Sequence, residues 1–594
     1  MTRTPPDITP EVLREYALLA DGERGALVGP HGDIVWLCAP RWDSDAVFSA
    51  LVGGAGEYVV TPRVPWYVWG GYYEEGSLIW RSRWVTSDGA VECREALALP
   101  SDPHTVVVLR RVDALDRPGE LTVTLNPRAG FGTQRLRGLT HHDGVWRGRV
   151  GDLHVRWTGA PEAEHEDGGL RMHLSLPPGE QRDLVLEISD QPLPEQAPDP
   201  DRTWDATAHQ WEQQVPRLSD SVAPRDARHA YAVMTGLTSS SGGMVAAATA
   251  ALPERARTGR NYDYRYCWIR DQSYAGRAVA ADGPHPLLDA ALEFTSARLL
   301  DDGPHLKPAY TSEGGSVPQQ HHLDQLLGYP GGGTSIGNRI DTQFQLDMFG
   351  EVLLLVAAGA RWDRLEPRHW KAAEIAVRAI EERGQEADAG IWELAPRRWA
   401  QSRLSCVSGL RAIAAVAPAA QAAQWAQLAD RVLADVAQDS VHSSGRWQRA
   451  PDDDRVDAAL LLAALRGAVP ADDPRSVATL DAVLTALVED GYVYRFQHDP
   501  RPLPESEGAF LLCGFWTALA LQQQGRPIEA RAFFERTRAA CGPAGLYSEE
   551  YDVVQRQLRG NLPQAFVHAL LLEASVRLGR PWADEHDREE TTTR

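Results

Sequence analysis

The chain has 594 residues, 43% of them apolar, and carries a formal net charge of −22 with a pI near 5.3. That length exceeds what one hydrophobic core supports, so at least two domains are expected. The acidic balance and the lack of any Lys/Arg-rich run speak against a nucleic-acid or anionic-lipid partner and favour a neutral or cationic small molecule.

The opening "MTRTPPDITPEVLREYALLADG" lacks the basic and then apolar segments of a secretion signal. No later run approaches the roughly 18 apolar residues of a membrane span, so a cytoplasmic protein with no membrane partner is expected. Six cysteines (Cys38, Cys93, Cys267, Cys406, Cys513, Cys541) lie far apart without metal-ligand spacing and read as buried free thiols. Nineteen tryptophans are a surplus that suits a carbohydrate pocket, where a sugar's C–H face packs on a ring.

In chain order, strands are predicted at 78–86, 105–112, 121–128, 154–159, 170–177 and 182–189, from alternating or β-branched runs separated by Gly, Pro, Asp and Asn. Such spacing predicts an antiparallel β-sandwich over 1–200. "QPLPEQAPDPDR" (191–202) breaks the pattern and marks a boundary, and a short polar helix at 203–215 falls in a linker region, 201–225. The period then becomes helical, as at Trp370, Ala373, Val377 and Ile380. Helices are predicted at 226–237, 270–281, 285–301, 341–360, 366–383, 402–417, 419–437, 454–467, 473–489, 507–524, 526–540 and 561–578. Twelve helices make six hairpins, which close into an all-α (α/α)6 barrel over 226–580. The charged tail 581–594 has no apolar face and is expected to be disordered.

Unusual residues fall in the loops between helices. "DAGIWELAPRRW" (388–399) places Glu393 after Trp392, and "GLYSEEYD" (545–552) places Glu549 and Glu550 in another loop. For a single Glu beside a Trp, a surface or ion-paired residue is the commoner reading. Two carboxyls from distant loops, each with aromatic neighbours, suggest a glycosidase, which needs one protonated acid and one ionised carboxylate. An apolar Trp contact favours the protonated form. "YPGGGTSIG" (329–337) lacks the Lys-Ser/Thr of a phosphate loop and reads as a flexible pocket-side loop. The adjacent histidines of "QQHHLDQ" (319–325) do not make a metal site, and no GxSxG surrounds any serine.

"YALLADGERGALVGPHGDIVWLCAPRWDSDAVFSALVGG" (16–54), "GGMVAAATAALPE" (242–254), "RNYDYRYCWIRD" (260–271), "GNRIDTQFQLDMFGEV" (337–352), "GIWE" (390–393), "EGAFLLCGFW" (507–516) and "GLYSEEYD…GNLPQAF" (545–566), in order along nearly the whole chain, resemble the bacterial branch of glycoside hydrolase family 15, which includes glucoamylases, glucodextranases and actinobacterial trehalases. The resemblance implies a β-sandwich, a linker helix and an (α/α)6 catalytic barrel that removes a glucosyl unit from a non-reducing end with inversion.

By the register of these motifs Glu393 matches the general acid and Glu549 the general base. Glu550, one residue on, is an alternative that would also touch substrate. Arg270 and Asp271 match a pair that grips the sugar hydroxyls, with Trp268, Tyr264 and Trp392 as pocket walls. Room for the attacking water requires carboxyls about 6.5–9.5 Å apart, and the chemistry needs no metal or organic cofactor.

Three departures from the family pattern fall near places that shape the leaving-group subsite: Ser335 in place of an Arg, Val407 and Arg411 in place of a Trp and an Asp, and Tyr262 in place of a Trp. They leave trehalose, isomaltose and malto-oligosaccharide all open as the small carbohydrate substrate. A non-catalytic sugar-binding relative and an inverting disaccharide phosphorylase are the rival readings; Glu549 argues against the second, which lacks the base. Assembly into a homo-oligomer is left open by the sequence.

Overall fold

Residues 10–256 and 259–580 are described by the computed structural model, so the predicted disorder of 581–594 lies outside the described residues. Two antiparallel sheets fill the N-terminal part. The first runs in the order Ala17–Ala20, Gly25–Val28, Asp33–Cys38, Glu57–Pro62, Gly119–Asn126, Gly169–Leu176 and Glu164–Glu166, with Ala46–Phe48 added on Asp33–Cys38. The second runs Arg128–Ala129, Gln134–His142, Val145–Val150, Leu153–Thr158, Gln181–Ser189, Thr105–Ala114, Ala90–Leu97, Trp80–Val85 and Val68–Tyr73. Alternation makes the inner face: Leu121, Val123 and Leu125 of one sheet and Trp80, Ser82 and Trp84 of the other are buried, while their neighbours are partly exposed.

Helix α1 (Pro200–Gln214) leaves the sandwich with Asp199 as its N-cap, whose side chain accepts from Arg202 N–H. Its buried residues, Trp204, Thr207 and Trp211, recur at the i, i+3, i+7 spacing of one face. The remaining helices are α2 (Pro224–Gly236), α3 (Ile269–Ala280), α4 (Pro286–Asp302), α5 (Asp347–Arg361), α6 (Pro367–Arg383), α7 (Ala400–Ala414), α8 (Ala419–Asp439), α9 (Leu462–Leu465), α10 (Pro474–Ala486), α11 (Leu503–Ser506), α12 (Leu511–Gln523), α13 (Pro527–Arg538) and α14 (Ala565–Gly579).

Helices α3, α5, α7, α9, α12 and α14 each pack on the next, and α14 closes back on α3. Helices α2, α4, α6, α8, α10 and α13 pack outside them, giving the (α/α)6 barrel. Composition decides which ring a helix joins. Inner α12, "LLCGFWTALALQQ", is buried from Leu511 to Leu521, whereas outer α8 buries only Trp425, Leu428, Ala429, Val432 and Val436. The tightest inner contact, α5 on α7, depends on glycine: a Cβ on Gly350 would collide with the Ser405 carbonyl, and one on Gly409 with the Gly350 carbonyl.

Several predicted helices are shorter than the periodicity suggested. The one at 454–467 is a 3-10 turn, Ala458–Leu461, plus the single turn of α9, because the Asp457 side chain caps it by accepting from Ala459 N–H. The one at 341–360 begins at Asp347. The one at 507–524 begins at Leu511, because Ala509–Phe510 is instead a strand paired with Glu550–Tyr551. Among the described residues no helix is long and apolar enough to cross a membrane. All six cysteines are free, Cys541 half-buried and the other five buried.

Candidate active site

The beginnings of the inner helices meet at one end of the barrel. Arg270 in the first turn of α3 donates to Gln345 Oε1 at 2.8 Å, just before α5. Asp388 Oδ2 accepts from Leu346 N–H at 3.1 Å, from Gly390 N–H at 2.9 Å and from the Ser402 hydroxyl at 2.8 Å, joining α5, the 388–399 loop and α7. Arg449 and Trp392 both reach Asp457, ahead of α9, and Leu511 N–H at the start of α12 donates to the Glu549 carbonyl at 3.0 Å. The positive ends of these helices therefore face this region, which suits carboxylates.

Glu393 is delivered by a tight loop. Gly390 has φ +66° and Glu393 itself φ +54°, left-handed backbone that a non-glycine residue adopts only where its surroundings hold it. Asp388 supplies that hold, and burial pushes its carboxyl up to about 7. The Glu393 carboxylate accepts from Trp268 Nε1 at 2.8 Å and from Arg270 Nη2 at 3.4 Å, and its side chain is 29% exposed.

Glu549 comes from the other side. It directly precedes the hairpin Glu550–Asp552 and Gln557–Arg559, and its Oε2 accepts from the Tyr264 hydroxyl at 2.9 Å. The rings of Tyr264 and Trp268 meet edge to face at 5.5 Å. Glu393 and Glu549 are thus bonded to the two members of one aromatic pair. Burial, with the nearby Glu254 carboxylate next in importance, pushes Glu549 up to about 8. Glu550 is turned away from these partners: it is fully buried, and its Oε2 accepts from Gly508 N–H at 2.8 Å. The structure does not bring it to the Tyr264–Trp268 pair: the strand begins at Glu550, whose carboxylate is committed to Gly508 N–H, whereas Glu549 sits at the bend before it.

Arg270 and Asp271 are 6% and 3% exposed, and their own contact is loose at 3.9 Å. Arg270 is shared among Gln345, Glu393 and Asp347, the last at 3.8 Å. Burial pushes both Asp271 and Asp347 up to about 6. Neither Asp347 carboxylate oxygen finds a hydrogen-bond partner among the described residues. Trp392 is half-buried and donates Nε1–H to Asp457 at 2.9 Å, its ring against Phe510 and Trp516.

The motifs did not single out Gln345, Asp347, Asp457, Glu254 or Arg495. Asp347 had a signal, as one of two acids, with Glu351, inside the otherwise apolar run "LDMFGEVLLL". Glu254 had a similar one, ending the apolar strand Ala250–Pro253. It is 7% exposed, and burial pushes it up to about 7. A Cβ on Gly560, which has φ +84°, would lie 3.7 Å from Glu254 Cγ and 3.9 Å from Glu549 Cβ, so the two acids share one neighbourhood. Arg495 stacks on Phe510 at 4.0 Å and donates to Glu507 at 2.6 Å.

The departures from the family pattern separate. Tyr262 is 39% exposed and stacks on Tyr264 with centroids 6.4 Å apart. Ser335 is buried and within 3.1 Å of His322 Nδ1, two residues from Gly337, whose N–H donates to Asp263. Arg411 does not shape the site: it lies in the last turn of α7, the helix whose first turn meets Asp388, and donates to the Ala468 carbonyl and Asp430. Val407, one turn earlier, is fully buried in the core. The glycine-rich loop packs on Asn261, whose amide a Cβ on Gly333 would strike, and Tyr329 donates to the Glu11 carbonyl at 2.8 Å.

Comparison with known proteins matches the model of the glycosyl hydrolases family 15 over residues 228–576 and that of a trehalase-like N-terminal domain over residues 9–152. A trehalase of Mycolicibacterium smegmatis is 30% identical over 96% of this chain and 91% of its own, and trehalase 1 of Sulfolobus acidocaldarius is 26% identical over 95% and 98%. A bacterial glucoamylase solved in complex with acarbose superposes with a TM-score of 0.68 at 14% identity, covering 98% of this chain and 97% of that one, and so shares the fold.

Proposed function

The chain belongs to the glycosyl hydrolases family 15 and is a glycoside hydrolase, and we propose that it is an inverting, exo-acting α-glucosidase whose substrate is a small α-glucoside, trehalose first among them. The observation that carries this reading is the attachment of Glu393 and Glu549, from loops some 150 residues apart in the chain, to the two members of the Tyr264–Trp268 pair. The trehalase relatives, similar over both halves of the chain, support the choice of substrate.

Glu393 protonates the glycosidic oxygen as the bond to C1 breaks. Glu549 takes a proton from water, whose oxygen attacks C1 from the opposite face of an oxocarbenium-like sugar. Arg270 and Asp271, with Asp347 beside them, grip the hydroxyls of the glucosyl unit, and Trp268, Tyr264 and Trp392 wall the pocket against bulk water. Tyr264 fixes the oxygen geometry of the base.

Proton NMR of the anomeric signals tests this with trehalose, maltose, isomaltose and a short maltodextrin. Inversion of trehalose releases one β-glucose from the attacked unit and one α-glucose as leaving group, in equal initial amounts. Two equivalents of α-glucose overturn the inverting mechanism, and turnover of maltose or isomaltose with trehalose untouched overturns the substrate.

A base must be ionised to act, and Glu549 and Glu254 are both raised by burial, to about 8 and about 7. Arg495 and Arg260 oppose that rise, while Glu507, Asp271 and Glu393 reinforce it. The acidic limb of kcat/KM is therefore expected near or above neutrality, with activity lost as pH falls through it. Glu254→Gln removes a neighbouring negative charge and should move that limb down by about one unit or more. A pH–rate profile unchanged by the substitution removes Glu254 from this role.

A further inference from the structure

We infer that Arg265 is a positioning residue through which the β-sandwich holds Tyr264, and with it Glu549, in working geometry. Arg265 belongs to the barrel half of the chain but is 1% exposed between the two domains. Its Nη1 donates to the Ser44 carbonyl at 2.7 Å, the Trp42 carbonyl at 3.2 Å and Cys38 Sγ at 3.3 Å, the end of the sandwich strand Asp33–Cys38 and the loop that follows it. Its Nε and Nη2 form a fork on Asp263, at 2.9 Å to Oδ1 and 2.7 Å to Oδ2.

Asp263 is itself pinned. Its Oδ2 accepts from Gly337 N–H at 2.9 Å and from the Tyr266 hydroxyl at 3.3 Å, and its carbonyl accepts from Asn338 Nδ2 at 3.2 Å. Tyr264 lies between the two ion-paired residues, and its carbonyl accepts from Ala247 N–H at 2.9 Å. Its ring meets Tyr262 and Trp268, and its hydroxyl ends on Glu549. The sandwich therefore grips the residue next to the tyrosine that orients the carboxylate. Such a clamp sets the distance and angle at which Glu549 meets a water, and small misplacements of a reacting group are expensive in rate.

The inference rests on Glu549 as the base proposed above, and a double-mutant cycle tests it. Arg265→Met is expected to lower kcat about 10- to 100-fold with KM within about threefold, since the sugar-gripping residues keep their contacts. Arg265→Lys keeps the buried charge and the reach to Ser44 but loses the fork on Asp263, so it should recover part of the loss. In a Tyr264→Phe background, where the hydroxyl to Glu549 is already gone, adding either Arg265 substitution should cost no more than about threefold further. A kcat unchanged by Arg265→Met, or losses that multiply in full in the double variant, overturns the inference. Should the Met variant show no folded melting transition, the Lys variant carries the same cycle. Full activity of Glu549→Gln would instead sink the assignment of the base, whereas an inactive Glu549→Gln beside an unaffected Arg265→Lys and Arg265→Met sinks only the clamp.

Discussion

Glu549→Gln is expected to lower kcat about 10²- to 10⁴-fold with little change in KM, a loss of roughly 3–5 kcal/mol of transition-state stabilisation. The substitution is close to isosteric. Tyr264 donates to a carboxylate oxygen, and the Gln carbonyl oxygen accepts the same bond, so the tyrosine and the pocket stay where they are. What disappears is the ability to accept a proton from water. Azide attacks without losing a proton, so added azide should restore turnover and give a β-glucosyl azide, with Glu393 still protonating the departing oxygen. Steady-state kinetics and NMR of the product check both halves. Retention of activity in the variant, or an α-azide, would show that Glu549 is not the base. Glu550→Gln is the matched control: its carboxylate is tied to Gly508 N–H away from the Tyr264–Trp268 pair, so the substitution acts on folding stability before it acts on rate.

The parts of this molecule that were legible in its sequence are those in which local pattern and global environment agree. Thr105–Ala114 alternates buried and partly exposed residues towards both ends and Gln181–Ser189 is exposed at its start, so both show their strand character, and the one-sided apolar face of α6 predicts its burial at Ala373, Val377 and Ile380. Strands such as Ala17–Ala20, Gly25–Val28 and Asp33–Cys38 are buried at every position and give no alternation, so only their place in a family motif marks them. The helix predicted at 454–467 failed because "PDDDRVD" is spent on side-chain contacts: Asp453 binds Arg449 and Arg455, and Asp457 binds Arg449 and Trp392.

In the site, Glu393 and Glu549 were visible because each sits in a loop motif beside aromatic residues, whereas Asp347 and Glu254, though also within motifs, acquire their character only when distant segments meet. Asp347 is an ordinary helix-start acid until α3 brings Arg270 to within 3.8 Å. Arg411 shows the converse error. As a departure from the family pattern it was expected near the leaving-group subsite, but about three turns of helix carry it to the other end of the barrel.

Glu393→Gln separates the acid from the base by its dependence on the leaving group. A disaccharide such as trehalose expels a sugar alkoxide unless the oxygen is protonated, so the variant should lose about 10²- to 10⁴-fold in kcat on it. Fluoride leaves as a stable anion, so α-glucosyl fluoride should be hydrolysed with a loss at least tenfold smaller. Glu549→Gln gives similar losses on both substrates, because the attacking water must lose its proton whichever group departs. Gln at 393 keeps an oxygen for the Trp268 N–H, so the left-handed turn at this position survives and the comparison reports on the proton rather than on the loop. Equal losses on both substrates would mean that Glu393 holds the sugar rather than protonates it. In that case Arg270, which lies 3.4 Å from the same oxygen, would be orienting a binding carboxylate, and the proton donor would have to come from the burial-raised acids beside it, Asp271 or Asp347.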